Sequence, residues 1–297
     1  MMARIALIGP GAIGGTAAAA LAASERHELT ICANQDFDTL RWTRSDNGET
    51  RNFPVRVVTS EKVLAPADWV LLAVKSHQTS SAAKWLTAAV GANTKLAILQ
   101  NGVEHRDRVV PFIPSTTPIV AVVVQLPAQR TAPGAITTYG PTLLIVGDDE
   151  HSKAFADLFT GTFVKVQCDA DFRTREWEKL CLNAASGSLT TLTMEPDCIA
   201  TVPGMRDLAK RIVDECVAVG RAEGAKFAND YADNLADVLA SRRNNRGNSM
   251  FYDRRDGKDL EWDARNGVIA RLGRKHGIAT PLSDALVPLL RALGPRA

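Results

Sequence analysis

What this sequence lacks narrows its chemistry first. Its five cysteines (Cys32, Cys168, Cys181, Cys198, Cys216) are odd in number, scattered and without a C-x-x-C pair. That excludes a disulfide framework and a thiolate metal site, and fits reduced packing residues of a cytoplasmic protein. The five histidines are equally dispersed, so no metal is expected. Charge of one sign is missing too. A net charge of +2 gives neither nucleic acid nor an anionic membrane a reason to bind. No apolar run reaches membrane length, and the most hydrophobic stretch, Ile119–Val124, suits a buried strand between Pro118 and Gln125. Internal repeats and low-complexity segments are absent.

What is present is an ordinary globular composition, 45% hydrophobic and 23% charged. At 297 residues the chain exceeds the usual domain size of about 100–150, so two domains are expected, 1–168 and 169–297. The most informative stretch is Arg4-Ile-Ala-Leu-Ile-Gly-Pro-Gly-Ala-Ile-Gly-Gly15. An apolar run feeds Gly9-x-Gly11-x-x-Gly14, and small helix formers follow, the strand–turn–helix order of a dinucleotide-binding fingerprint. Gly9 permits the tight turn, Gly11 lets backbone approach a pyrophosphate, and Gly14 lets helix and strand pack closely. The phosphates would sit on free N–H groups at the helix start. Residues 5–23 carry no charge and also resemble a leader peptide, but Pro10 and the glycines interrupt its apolar core.

Up to about residue 167, short apolar runs alternate with helical or loop segments. Strands are expected at Arg4–Ile8, Glu28–Cys32, Trp69–Val74, Leu96–Leu99 and Ile119–Val124, in a parallel sheet under helices. Ala135–Tyr139 and Thr142–Val146 are expected to form a hairpin-like addition. From about Phe172 the periodicity is helical, with helices at Asn229–Arg242, Leu260–Lys275 and Pro281–Leu293 besides the amphipathic Met205–Val219 segment. A cleft between the two domains is the expected ligand site.

Four clusters could carry chemistry. Lys75, and Gln100-Asn101-Gly102, each follow a buried strand, at the edge where such sheets bind ligands; a solvated lysine and an ordinary turn are the plain alternatives. Trp177-x-Lys179-x-x-x-Asn183 places Lys179 and Asn183 on one helix face, with Gly187 one turn on. Lys179 is either a catalytic lysine or one that snorkels to the surface. Ser249-Met250…Asp253 is followed by Glu261, which reads equally as an ordinary carboxylate in a first helical turn.

In this order and spacing the clusters resemble the ketopantoate reductase (2-dehydropantoate 2-reductase) family over nearly the whole chain, as do Asn266-Gly267 and His276-Gly-Ile-Ala-Thr-Pro281. The resemblance implies an α/β Rossmann-like N-terminal domain and an all-α C-terminal domain of the 6-phosphogluconate dehydrogenase C-terminal-like kind. It implies NADPH-dependent reduction of 2-dehydropantoate to pantoate, with NAD as the alternative cofactor, and a homodimer through the helical domain. Lys179 matches the general acid. Asn183 would orient the substrate, Ser249 bond its carboxylate or carbonyl, and Glu261 bind its hydroxyl and hold the lysine. Asn101 would sit where nicotinamide and substrate meet, with Lys75 near the cofactor. Gly9, Pro10, Gly11, Ala12, Ile13, Gly14 and Glu261 complete the cofactor set.

Two positions depart from the family pattern. Ala33-Asn34 stands where an arginine usually meets the NADP 2′-phosphate, leaving Arg41 or Arg44 to reach round. Gly187-Ser188 stands where many members carry asparagine and proline. Either Ser186 or Ser188 replaces that amide, or space is left for a different 2-keto acid. The alternatives are therefore a reductase of another 2-keto acid, an opine-type dehydrogenase, or a regulator that binds NADP without turnover.

Overall fold

Continuous apolar runs become strands here because both of their faces are covered. β1 (Arg4–Ile8) sends Ile5 and Leu7 into one core with Leu71 and Ala97. Its other face, Ala6 and Ile8, joins Val70, Leu72, Leu96 and Ile98 in a second core. The structure, a computed structural model, describes residues 2–294, which form two units: 2–101 with 105–172, and 102–104 with 173–294.

In the first unit β1 leads to α1 (Ala12–Ser24), β2 (Glu28–Cys32), β3 (Thr39–Arg44), β4 (Thr50–Pro54), β5 (Arg56–Val58), β6 (Trp69–Leu72), α2 (Ala83–Ala89), β7 (Lys95–Ile98), α3 (His105–Val109) and β8 (Ile119–Ala121). Then come β9 (Val123–Gln125), β10 (Ala128–Ala132), β11 (Ala135–Thr138), β12 (Leu143–Val146), α4 (Glu150–Leu158) and β13 (Lys165–Cys168). A parallel sheet runs in the order β5-β2-β1-β6-β7-β8. The strand order reverses between β1 and β6, which makes their carboxyl ends the switch point where open α/β sheets take ligands. Two smaller sheets run β10-β11-β3-β4 and β13-β12-β9.

Two sequence expectations about this unit are corrected, and one strand pair was not foreseen. Ile119–Val124 is two strands, β8 at the edge of the parallel sheet and β9 antiparallel to β12. The chain changes sheets at buried Val122, so apolar character persists across the break. Ala135–Tyr139 and Thr142–Val146 do not pair with each other. β11 instead pairs with β10 across Pro133-Gly134 and with β3, while β12 joins β9 and β13. The β3–β4 pair was not expected, because only Leu40, Trp42 and Phe53 are buried among polar residues.

The second unit is helical among the described residues: α5 (Phe172–Thr193), α6 (Cys198–Thr201), α7 (Met205–Ala222), α8 (Tyr231–Ser241), α9 (Ser249–Arg255), α10 (Val268–His276) and α11 (Pro281–Ala292). α5 is its axis: Trp177, Leu180, Cys181, Ala184 and Leu189 are buried with Ile212, Cys216 and Val219 of α7. Gly220 is needed there, since a Cβ would lie 2.9 Å from the Trp177 ring. Leu260–Lys275 is not one α-helix. Asp263–Gly267 is a π-helical turn, closed by Gly267 N–H donating to the Trp262 carbonyl at 3.0 Å, and α10 follows. Residues 102–104 lie with this unit because Val103 enters its core and Arg271 bonds both Glu104 carboxylate oxygens, at 3.1 and 2.6 Å. Among the described residues no helix is long and apolar enough to cross a membrane.

Candidate active site

The first unit builds an anion cradle at the end of β1. Gly9 turns at φ +91°, and a Cβ there would lie 2.8 Å from the Val74 backbone nitrogen. At Gly14 a Cβ would collide with the Gly9 carbonyl oxygen and lie 2.9 Å from Ala73 Cβ, so helix and strand are packed to glycine distance. Gly11 differs: no atom lies within 4 Å of where its Cβ would stand. It is the N-cap of α1, with no side-chain cap and no acidic residue in the first turn. The first N–H groups of a helix have no intrahelical acceptors, and no side chain stands over Gly11 where that helix begins. That arrangement fits the pyrophosphate of a dinucleotide.

Two loops follow β6 and β7. Gln100 Nε2 donates to the Val74 carbonyl (2.9 Å) and to Thr79 Oγ1 (3.0 Å), and His105 Nε2 lies 3.0 Å from the Gln100 carbonyl oxygen. Gln100 thus ties the loop of Asn101 to the loop of Lys75; both residues are partly buried. After β2, Asn34, Gln35 and Asp36 are exposed. Arg44 is turned to its own hairpin by Asp46 (2.5 and 3.1 Å), with Glu49 at 3.9 Å, whereas Arg41 is exposed on β3.

In the second unit, α9 and the π turn are fixed to α5 at several points. Asn248 caps α9, its Oδ1 accepting from Met250 and Phe251 N–H. The Asn248 Nδ2 donates to Thr190 Oγ1 (2.7 Å) and the Ser186 carbonyl (3.1 Å). Arg254 Nη1 donates to the Thr191 and Leu192 carbonyls near the end of α5. Fully buried Asn266 reaches the Ala184 carbonyl at 3.4 Å. These ties set Ser249 and Glu261 relative to Lys179 and Asn183 on α5. Ser249 is exposed and Glu261 buried; the latter is no ordinary solvated first-turn carboxylate. Lys179 is partly buried, and its pKa falls from 10.5 to about 8, first through desolvation and then through the positive charges of Arg265 and Arg242.

The chain matches the model of "Ketopantoate reductase PanE/ApbA" over residues 5–151 and that of "Ketopantoate reductase PanE/ApbA C terminal" over residues 171–294. The chain belongs to the ketopantoate reductase family. It is 42% identical to a 2-dehydropantoate 2-reductase of Caulobacter vibrioides, covering 98% of this chain and 99% of that one. It is 39% identical to one of Mycobacterium tuberculosis, with 97% of each covered. Its fold matches a dimeric ketopantoate reductase of Staphylococcus aureus with a TM-score of 0.87, at 26% identity over 98% of both chains.

At the departure from the family pattern, Ser188 and the space beside Gly187 are both taken up. Ser188 is buried and its hydroxyl donates back to the Ala184 carbonyl at 2.6 Å. Asn248 Nδ2 donates to the Ser186 hydroxyl oxygen at 3.4 Å, which leaves the Ser186 proton for another acceptor. The space is not open: a Cβ on Gly187 would lie 2.5 Å from Arg265 Nη1. Sequence reasoning missed Arg265 and Asn248. The available signals were the glycine itself, which invites a neighbour to fill it, and the four-residue step from Glu261 to Arg265.

Proposed function

We propose that this protein reduces 2-dehydropantoate to pantoate with NADPH as the hydride donor. The observation that carries the reading is Lys179, a lysine brought near neutrality on the same helix face as Asn183. Hydride delivered by the nicotinamide to a ketone carbon leaves an alkoxide, and a proton must reach that oxygen as charge develops. Lys179 Nζ is the acid, because a lysine titrating near 8 is still protonated at neutral pH yet releases its proton readily.

Asn183, one turn on, orients the carbonyl. The Ser249 hydroxyl donates to the substrate's carboxylate, and the Glu261 carboxylate accepts from the substrate's hydroxyl and holds the lysine in position. Gly9, Pro10, Gly11, Ala12, Ile13 and Gly14 receive the pyrophosphate, Lys75 stands on the cofactor side, and Asn101 meets nicotinamide and substrate. NADPH is preferred over NADH mainly by analogy with the family, and Ala33-Asn34, which follow β2, bring no carboxylate to an NAD ribose. Exposed Arg41, rather than Arg44, is free to meet a 2′-phosphate. A homodimer belongs to the same reading, supported by the dimeric Staphylococcus aureus relative and by Val238 and Leu289, half-exposed on α8 and α11. So does a cytoplasmic location, supported by the cysteines, which are all free.

The test is loss of reduced-cofactor absorbance with 2-dehydropantoate, NADPH and NADH in parallel. Turnover with NADPH that Lys179→Ala abolishes is the expected result. Turnover confined to NADH would overturn the cofactor, and cofactor binding without oxidation would overturn the substrate.

A further inference from the structure

Arg265 is the largest fully buried charged side chain among the described residues, 1% exposed, and the mechanism above gives it no role beyond its charge beside Lys179. It sits on the π turn, a distortion that recurs at functional sites because it redirects a side chain out of the helical register. Its Nη2 donates to Ser249 Oγ at 2.8 Å and lies 4.0 Å from Glu261 Oε2. Nε and Nη1 are buried with no hydrogen-bond partner among the described residues. Nη1 occupies the place that a side chain on Gly187 would fill.

An arginine held this way has a defined effect on its neighbour. Guanidinium can only donate, so Ser249 Oγ must accept, and the serine's single proton is left for another acceptor. Ser249 is exposed where Arg265 is not. The serine therefore carries the orientation from the interior to the surface. The local charge points the same way, because Arg265 and Lys179 put two cations beside α5. A substrate bearing a carboxylate relieves their repulsion, and a neutral ketone does not.

We propose that Arg265, seated over Gly187, is a positioning residue that fixes the Ser249 hydroxyl as a donor and tunes the site to ketones carrying a carboxylate. In this chain the Gly187–Arg265 pair does the work that a neutral side-chain amide would do from the helix face. The inference rests on the 2-keto acid reading but is tested separately from it. Calorimetric titration of 2-dehydropantoate into the NADP⁺-loaded protein measures binding where no hydride can be transferred.

Arg265→Met is expected to weaken that binding about ten- to hundredfold, the range of one hydrogen bond to a charged group, with NADP⁺ affinity unchanged. In turnover its loss should fall on KM more than on kcat. Arg265→Lys, which keeps charge and a donor, should recover much of the affinity. Gly187→Asn should impair the parent, yet impair Arg265→Met much less, because the clash with Nη1 is gone. Unchanged binding in Arg265→Met, or additive effects of the two substitutions, would overturn the inference. A parent that binds 2-dehydropantoate in an Arg265-dependent way, but does not oxidise NADPH with it, would support the inference and sink the reaction assignment alone.

Discussion

Replacing Lys179 with methionine should stabilise the fold at pH 7 while removing its chemistry. The substitution keeps an unbranched apolar stem on α5 and deletes one charge from a site shared with Arg265 and Arg242. An ammonium that titrates at 10.5 in the unfolded chain and at about 8 in the folded one is disfavoured by folding. The gap corresponds to about 3 kcal/mol at full value. Partial exposure of the side chain leaves about 1–3 kcal/mol for the variant to recover. The sign follows from proton counting. Between pH 8 and 10.5 the unfolded chain holds more protons at this site than the folded one, so the parent gains stability as pH rises through that window. The advantage of Lys179→Met should be full below about pH 8 and vanish near pH 10.5. Urea unfolding of both proteins at pH 7 and pH 10, beside turnover at pH 7, makes the comparison. The expected outcome is a higher midpoint at pH 7, convergence at pH 10, and turnover reduced at least about 10²-fold. A variant less stable than its parent at pH 7, or equally shifted at both values, would refute the account of the depressed lysine.

Two glycines of the cradle should separate folding from binding. Gly11→Ala meets open space at an ordinary backbone angle, so its melting temperature should change little while NADPH affinity drops at least about tenfold. Gly14→Ala meets the Gly9 carbonyl and Ala73 and should cost about 1–3 kcal/mol of stability; cofactor fluorescence titration and thermal melts read both, and a destabilised Gly11→Ala would refute the assignment. Glu215 supplies a purely structural contrast. Its carboxylate accepts from Leu282 N–H (2.6 Å), Ser283 N–H (2.9 Å) and Ser283 Oγ (2.8 Å) at the start of α11. Glu215→Ala should therefore cost about 2–3 kcal/mol in denaturant unfolding and leave KM unchanged.

The sequence exposed those parts of the site that depend on short-range order. Gly9, Gly11 and Gly14 are set by one turn, and Lys179 and Asn183 by one helical repeat, so spacing alone puts them together. Buried parallel strands were equally legible, because a run such as Val70–Leu72 has to be covered on both faces. The β3–β4 pair was illegible for the converse reason: it buries few side chains and most of its polar residues are exposed. Arg265 was hidden by geometry. An α-helical reading of Leu260–Lys275 gives no hint of the π turn, and nothing local to Gly187 names the residue that fills its space. Ser188 is one candidate replacement for an amide, but a buried serine within a helix commonly bonds the preceding turn, as Ser188 does.

Charge balance around α5 carries one further consequence. Lys179 and Arg265 are positive, and Glu261 and Asp253 offset Arg265. In the free protein the two cations oppose each other, which is part of why Lys179 titrates near 8. A bound carboxylate adds negative charge beside both and favours the protonated lysine. The acid is then most fully charged when a substrate is present to receive its proton. The measurable form is a difference between two pH profiles. The free protein governs kcat/KM, so its alkaline limb should fall near pH 8; the substrate complex governs kcat, so that limb should lie higher. If desolvation by the substrate outweighed its charge, the order would reverse, with kcat failing at lower pH than kcat/KM. The order of the two limbs therefore decides which effect dominates at Lys179, and the charge argument requires kcat to persist to the higher pH.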